Sequence, residues 1–227
     1  MLYFLSHLLD PQDRTWPGEP RAVISQVTEI TDDFPYCTYE TILPNHFGTH
    51  MDGPRHFVKD GKRINDLPID YFYHKDVALL EIPKDLDEGI HREDLEPFAN
   101  TLSKVSFVLI RTGIEKYRST DPDMYQNHGS WIAPNAGDYL KTFPNIKGIG
   151  FDFLAIGSPS DKCPPDESPQ DCHQHILGFY DGKFIPGIED MHLSELPKNP
   201  KIIRFINAPY RIKDVDSSQV TCICEVE

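Results

Sequence analysis

The segment from residue 45 to residue 57 concentrates side chains that bind metals and move protons. Within eleven positions it carries three histidines and one aspartate, namely His46, His50, Asp52 and His56. Imidazole and carboxylate together suit a divalent metal such as zinc or manganese. Two glycines and a proline lie among them and argue against a regular helix. We therefore predict an irregular loop whose side chains converge on one point.

A simpler interpretation is a polar loop whose histidines cap turns and pair with the aspartate. That interpretation is adequate for any single histidine of the segment. Metal ligands characteristically occur as clusters, so the four residues together favour a metal site.

The same segment resembles the signature of the cyclase-like metal-dependent hydrolase family, which includes bacterial kynurenine formamidases and isatin hydrolases. Eight signature positions match without a gap: His46-x-Gly48-Thr49-His50-x-Asp52-x-Pro54-x-His56-Phe57. The resemblance implies an α/β fold of the swivelling β/β/α type with mixed sheets, formed by one compact domain over residues 1–227. It also implies a metal-ligand set and a proton shuttle, which are His46, His50, Asp52, His173 and Glu189 as ligands and His56 as the shuttle.

The second part of that ligand set lies in residues 171–189. The family has a histidine that opens an H-x-x-L-L-G-like helix and a glutamate after a short apolar strand. His173 fits this frame, but His175 competes for the role, and the spacing to Glu189 is longer than in the family. We expect the extra residues to form a wider turn at 179–183. Without the resemblance, Glu189 would be interpreted as a solvated loop acid.

A metal with an open coordination position lowers the pKa of bound water to about 7 and polarises a carbonyl. Such a site needs a base that is not a ligand, and His56, four residues after Asp52, is the candidate. The resemblance implies hydrolysis of a small non-peptide amide, either an arylformamide such as N-formylkynurenine or a cyclic amide such as isatin. The alternatives are a metal-dependent cyclase or lyase, and a metal-binding protein without turnover.

Trp16 lies in a turn-rich loop beside two prolines. It is predicted either to anchor that loop in the core or to form an aromatic wall over the substrate. The resemblance extends to Trp16-Pro17-Gly18 and implies a position near the active site. The predicted cofactor is a divalent metal, and both its identity, zinc or manganese, and its number, one ion or two, are left open.

The elements that must position these residues follow from hydrophobic periodicity. Alternation at 22–30 indicates a half-buried strand, paired antiparallel with a strand at 36–43. A continuous apolar run at 105–111 indicates a strand buried on both faces. The remaining predictions are strands at 2–6, 77–82, 147–153, 201–207 and 219–226, and helices at 92–102 and 134–143. Strand–helix–strand order in the middle of the chain predicts an α/β layer.

Composition excludes several functional classes. A net charge of −14 argues against nucleic-acid binding, and no apolar run approaches the ~20 residues that span a bilayer. Five cysteines, an odd number, suit reduced thiols in the cytoplasm, and their spacing does not suggest a zinc ribbon.

We expect a small-molecule substrate and a homo-oligomer, either a dimer or a tetramer, because terminal strands leave edges to cover. Four further histidines lack ligand-spaced neighbours and are interpreted as surface or packing residues: His74, His91, His128 and His192.

Overall fold

The structure is a computed structural model that describes all residues from 1 to 227. Its thirteen strands are β1 (Leu2–Phe4), β2 (Val23–Thr28), β3 (Thr38–Ile42), β4 (His50–Asp52), β5 (Tyr73–His74), β6 (Val77–Glu81), β7 (Gly89–Ile90), β8 (Phe107–Arg111), β9 (Trp131–Ile132), β10 (Gly148–Phe151), β11 (Gly187–Glu189), β12 (Ile202–Pro209) and β13 (Ser217–Val226). Its six α-helices are α1 (Arg92–Leu95), α2 (Ala99–Leu102), α3 (Lys116–Thr120), α4 (Pro122–His128), α5 (Pro134–Leu140) and α6 (Pro169–Leu177).

Nine of the strands form one mixed sheet, which confirms the predicted α/β class with mixed sheets. Its order is β5-β12-β13-β4-β11-β10-β8-β6, with β1 paired to β13. The neighbours from β11 to β6 run parallel, and the other pairs are antiparallel. The two end strands, β5 and β6, are separated by only two residues in the chain. The sheet therefore curls until its ends meet, and it forms a nearly closed barrel.

The two faces of this sheet pack against different hydrophobic clusters. On β8, Val108 and Ile110 face the cluster that includes the helices, whereas Phe107 and Leu109 face the second cluster. Alternate side chains of a strand point to opposite faces, so β8 is buried on both sides, as its continuous apolar run predicts. β4 and β11 lie in the middle of this sheet.

Two predicted elements differ from the structure. The predicted helix at 92–102 is split into α1 and α2 by a 3₁₀ turn at Glu96–Phe98, because Pro97 cannot donate a backbone hydrogen bond. The predicted loop at 45–57 contains a buried strand, β4, and a 3₁₀ turn at Pro54–His56. A strand of three residues between histidines carries no periodicity that the sequence could reveal.

The β2–β3 hairpin was correctly predicted as an antiparallel pair, but the expected half burial of β2 is wrong. The hairpin pairs with no other strand, and nearly all its residues are exposed on both faces. Its apolar side chains include Val27 at 63% exposure and Ile42 at 59%. The alternation therefore does not mark a face packed within this chain.

None of the helices has both the length and the apolar character required to cross a bilayer. All five cysteines have free thiols, and three of them are buried: Cys172, Cys222 and Cys224.

Candidate metal and active site

The candidate site is built on β4, which lies between β11 and β13 in the sheet. Because side chains alternate along a strand, His50 and Asp52 share one face, while Met51 points into the core. The antiparallel register places Glu189 of β11 directly opposite His50. Cross-strand neighbours face the same side, so three polar side chains converge on one face of a buried sheet.

Two further histidines reach this face from outside the sheet. His46 lies in the turn before β4, where Gly48 has a φ of +65° that suits glycine. His173 lies on α6, which the Ser168 side chain caps at its start and Gly178, at a φ of +92°, ends. The wider turn expected at 179–183 follows this glycine. A loop and a helix thus add two histidines to those that the strands supply.

Each of the five predicted ligands lies close to at least one other member of the set. His50 Nε2 lies 3.1 Å from Glu189 Oε2, and His46 Nδ1 lies 3.1 Å from Asp52 Oδ1. His173 Nε2 lies 3.4 Å from Glu189 Oε1. The structure thereby brings together residues from three separate parts of the chain.

Backbone carbonyls fix the ring orientation of the two buried histidines. His50 Nδ1 donates to the Gly48 carbonyl at 2.7 Å, and His173 Nδ1 donates to the Pro169 carbonyl at 2.6 Å. In each ring the Nε2 atom is left facing the cluster. This is the outer hydrogen bonding that orients a metal-binding imidazole.

Asp52 supplies the strongest sign that a cation belongs here. Its side chain is fully buried, and neither carboxylate oxygen has a hydrogen-bond partner. The nearest nitrogen, His46 Nδ1, lies 3.1 Å from Oδ1. Burying a carboxylate without a partner costs roughly several kcal/mol of folding free energy, unless the carboxylate is paired with another charge or binds a metal. Two overlapping groups of potential ligands share this residue: His46, Asp52 and His56, and His50, Asp52 and Glu189.

The charges of the cluster are strongly coupled. Burial opposes a charge on His46, but Asp52 and Asp216 outweigh it and raise the pKa of His46 to about 11. Glu189 and Asp52 likewise raise the pKa of His50 and of His173 against the effect of burial. Burial would raise the pKa of Asp52, but the surrounding histidines hold it well below its usual value. The carboxylates therefore stay ionised, ready to attract a cation.

His56 lies at the rim of the cluster, with 26% of its side chain exposed. Its Nε2 lies 3.8 Å from Asp52 Oδ2, and its Nδ1 bonds Asp216 Oδ2 at 2.9 Å. The same Asp216 oxygen also bonds His46 Nε2 at 3.0 Å. Sequence reasoning missed Asp216, because it lies 160 residues from His56 in a loop that carries no motif.

The structure places His173 in the cluster and His175 outside it. His175 Nδ1 bonds Asp138 at 2.9 Å, and its ring packs against Tyr180 at the surface. Successive helix positions two apart do not share a face, so only one of the two can face β4.

The cluster opens into a cavity of about 200 Å³. Trp16 lines this cavity, together with Arg14 and Glu19 of the same loop and Phe57 at the end of segment 45–57. Leu154 and Ala155 add an apolar wall. The cavity thus combines aromatic and apolar walls with convergent polar groups at its base, the usual make-up of a small-molecule site.

A curled mixed sheet with a histidine–carboxylate centre on its middle strands defines a protein of the cyclase type. The sequence model of the family described as Putative cyclase matches residues 3–158, more than half of the chain, and the chain belongs to that family. The match ends before His173 and Glu189, which the structure brings to the site as the resemblance implied.

Relatives agree with this assignment. The chain is 55% identical over 127 residues to an uncharacterized protein of Haemophilus influenzae, covering 56% of this chain and 89% of that protein. It is 29% identical over 196 residues to a kynurenine formamidase of Geobacillus thermodenitrificans, covering 85% and 88% of the two chains. Isatin hydrolase A from Labrenzia aggregata has a similar fold, with a TM-score of 0.79 at 22% identity, over 99% of this chain and 93% of that one.

Proposed function

We propose that this protein is a metal-dependent hydrolase of a small non-peptide amide. The substrate class is an arylformamide such as N-formylkynurenine or a cyclic amide such as isatin. The observation that carries the proposal is the fully buried Asp52 carboxylate, which has no hydrogen-bond partner and lies among histidines at the base of an open cavity. The similarity to a kynurenine formamidase and to the isatin hydrolase fold supports the choice of reaction.

The donor set fits a divalent metal, zinc or manganese, as one ion or two. His46, His50, Asp52, His173 and Glu189 would hold it, since three imidazoles and two carboxylates match the ligands of these metals. When bound, such a metal supplies Lewis acidity that polarises a carbonyl and lowers the pKa of water to about 7.

His56 is placed to move the proton that amide hydrolysis requires. Its Nδ1 is held by Asp216, so its Nε2 points toward Asp52 and the cluster. The residue is partly exposed and can exchange protons with solvent. Addition of water to an amide carbonyl removes a proton from water, and departure of the amine needs a proton at nitrogen. One imidazole can perform both steps if it accepts the proton from water and then donates a proton to the leaving nitrogen.

The cavity walls would position the substrate. Trp16 and Phe57 offer aromatic surface for a substrate ring, and Arg14 offers a cation for a carboxylate or carbonyl. A cavity of about 200 Å³ suits a small molecule rather than a polymer. Trp16 is therefore proposed as a substrate-binding residue.

Two other functions use the same site. A cyclase or lyase would use the metal to stabilise an enolate, and a metal-binding protein would show no turnover. His56 argues against the second, since a binding protein has no need of an orientated imidazole that faces the metal ligands.

The test is acid release by metal-loaded protein from a panel of arylformamides and cyclic amides in H₂¹⁸O. Hydrolysis predicts release of one acid per turnover with the label in the new carboxylate or formate. Turnover without label would favour a lyase or cyclase. Complete silence toward both substrate classes, with metal bound, would favour a binding protein.

We also propose that the protein is a cytoplasmic homo-oligomer. The five free cysteines, three of them buried, suit a reducing compartment. The exposed apolar β2–β3 hairpin suits a contact with a second copy of the chain, because a two-stranded sheet is marginally stable in water by itself.

A further inference from the structure

A second group of metal-ligating side chains lies outside the candidate site and shares no residue with it. The group consists of His7, Glu115 and His192, whose ligand atoms all lie within 4.8 Å of one another. His7 follows β1, Glu115 precedes α3, and His192 follows β11. Three loops that are far apart in the chain therefore meet at this point.

The contacts of His7 are those of a ligand without its metal. Its Nε2 is buried and has no hydrogen-bond partner. This atom lies 3.9 Å from Glu115 Oε1, too far for a hydrogen bond. Around tetrahedral zinc, ligand distances of about 2.0–2.2 Å separate neighbouring N and O ligands by roughly 3.3–3.5 Å. A shift of about half an ångström would bring the two atoms to that separation.

Glu115 is fixed in place to serve as the carboxylate ligand. Its side chain is 8% exposed, and the backbone N–H groups of Leu193 and Ser194 both donate to its Oε2, at 2.9 and 2.8 Å. Its Oε1 faces the two histidines, with His192 Nδ1 in direct contact and the Ser194 hydroxyl at 2.8 Å. The orientation of the carboxylate therefore does not depend on the histidines alone.

The other carboxylate near His7 Nε2, that of Asp190, is already paired. Asp190 Oδ1, 4.0 Å from His7 Nε2, accepts from Arg118 and from the Tyr125 hydroxyl. Arg118 also pairs with Asp13. Burial lowers the pKa of His7 despite the nearby acids, so its imidazole is neutral, the state that binds metals. A cation would thus meet one uncommitted imidazole and one carboxylate oxygen.

We propose that His7, Glu115 and His192 bind a second divalent cation of the zinc class. Two histidines and one glutamate form a known three-residue zinc ligand set, in which water or a small anion takes the fourth position. Here that position faces a polar cavity of about 400 Å³ whose lining includes Lys116, Ser119 and Ser194. The ion would join the three loops, so its binding should stabilise the fold.

The test counts cobalt(II) ions per chain after equilibrium dialysis, in wild type and two variants. His192→Asn removes an imidazole ligand, while its amide can still donate to Glu115. His128→Asn is the matched control, because His128 also bonds a carboxylate through Nδ1, that of Asp87, and is 29% exposed, against 30% for His192. We expect His192→Asn to bind one ion fewer than wild type and His128→Asn to bind the same number. His7→Gln, which acts on a different loop, should also lose one ion.

Equal cobalt content in wild type, His192→Asn and His7→Gln would overturn the proposal. The group would then be only a hydrogen-bonded pair of His192 and Glu115 beside His7. An equal loss in His192→Asn and His128→Asn would also overturn it, since the loss would not be specific to the group. The cobalt count does not depend on hydrolase activity. The second cation site can therefore be confirmed even if the protein is not a hydrolase, and it can be refuted even if the protein is one. As a second readout in unaltered protein, zinc titration should shift the ¹⁵N resonance of His7 Nε2.

Discussion

Asp52 lies at the centre of the site, on strand β4, and neither of its carboxylate oxygens has a hydrogen-bond partner. His50 and His173 each use one ring nitrogen for a backbone carbonyl and present the other to the cluster. Their orientation is therefore set before any metal binds, which reduces the entropy lost on binding. The backbone therefore orients two histidines of this site, and the acid between them is the residue that we expect a cation to pair with.

The pair His173 and His175 gives a matched test at this scale. His173→Ala should reduce metal affinity by more than about 10-fold, because it removes a predicted ligand whose Nε2 lies beside Glu189. His175→Ala changes a surface histidine two residues away and should leave metal content near that of wild type. Metal analysis of both proteins after dialysis decides the matter. Loss of metal in His175→Ala alone would reverse the assignment.

The pKa shifts of the cluster predict how metal binding depends on pH. Without metal, the pKa of His46 is raised to about 11, so this ring carries a proton at pH 7, and the pKa values of His50 and His173 are also raised. A ligating imidazole must be neutral, so binding has to release protons, and affinity should fall as pH falls. Calorimetric zinc titrations in buffers of different ionisation enthalpy measure that release. No proton release at pH 7 would contradict the predicted protonation state.

Among the elements, α6 delivers His173 and depends on close packing at its start. A Cβ atom added at Gly157 would overlap the Cα atom of Pro169, the first residue of α6. Backbone cannot yield as a flexible side chain can, so the helix must move. Gly157 therefore determines how near α6 approaches the sheet.

Gly157→Ala should cost about 1–3 kcal/mol of unfolding free energy and weaken metal binding as well. Denaturant unfolding and metal titration of the variant measure the two effects. Unchanged stability together with unchanged metal affinity would show that the approach of α6 is not limiting.

The sequence predicts this architecture unevenly, and the reasons differ by element. Long apolar strands such as β8 are evident because burial on both faces leaves a continuous apolar run. β4 was missed because three residues carry no period, and the interruption of the helix at Pro97 was missed because its apolar spacing continues across the break. Most of the site is marked by the dense segment at 45–57, whereas Asp216 comes from the far end of the chain and only the fold brings it near.

At the scale of the whole molecule, the β2–β3 hairpin is the part that the chain itself does not cover. Apolar side chains such as Ile24, Val27 and Ile42 are 42–63% exposed on it. Such a surface is typical of an interface with another protein copy. The hairpin directly precedes segment 45–57 in the chain.

Light scattering at micromolar concentration should therefore show a symmetric homo-oligomer, most simply a dimer. Ile42→Lys should shift the mass toward the monomer, because it places a charge in an apolar contact. Thr41→Lys is the control on the neighbouring exposed position of the same strand. A monomeric wild-type protein would refute the predicted homo-oligomer. If Thr41→Lys shifted the mass as much as Ile42→Lys, the interface could not be assigned to the apolar side chains of the hairpin.

The central claim is that one imidazole moves protons beside a metal that other residues hold. The most direct measurement is the turnover of His56→Ala on a responsive amide substrate, taken together with its metal content. Because no ligand is removed, we predict full metal content, an unchanged melting temperature and turnover reduced by roughly 10²–10⁴-fold. Metal loss with activity restored by added metal would make His56 a ligand instead. Near-normal turnover per folded, metal-loaded molecule would contradict the account.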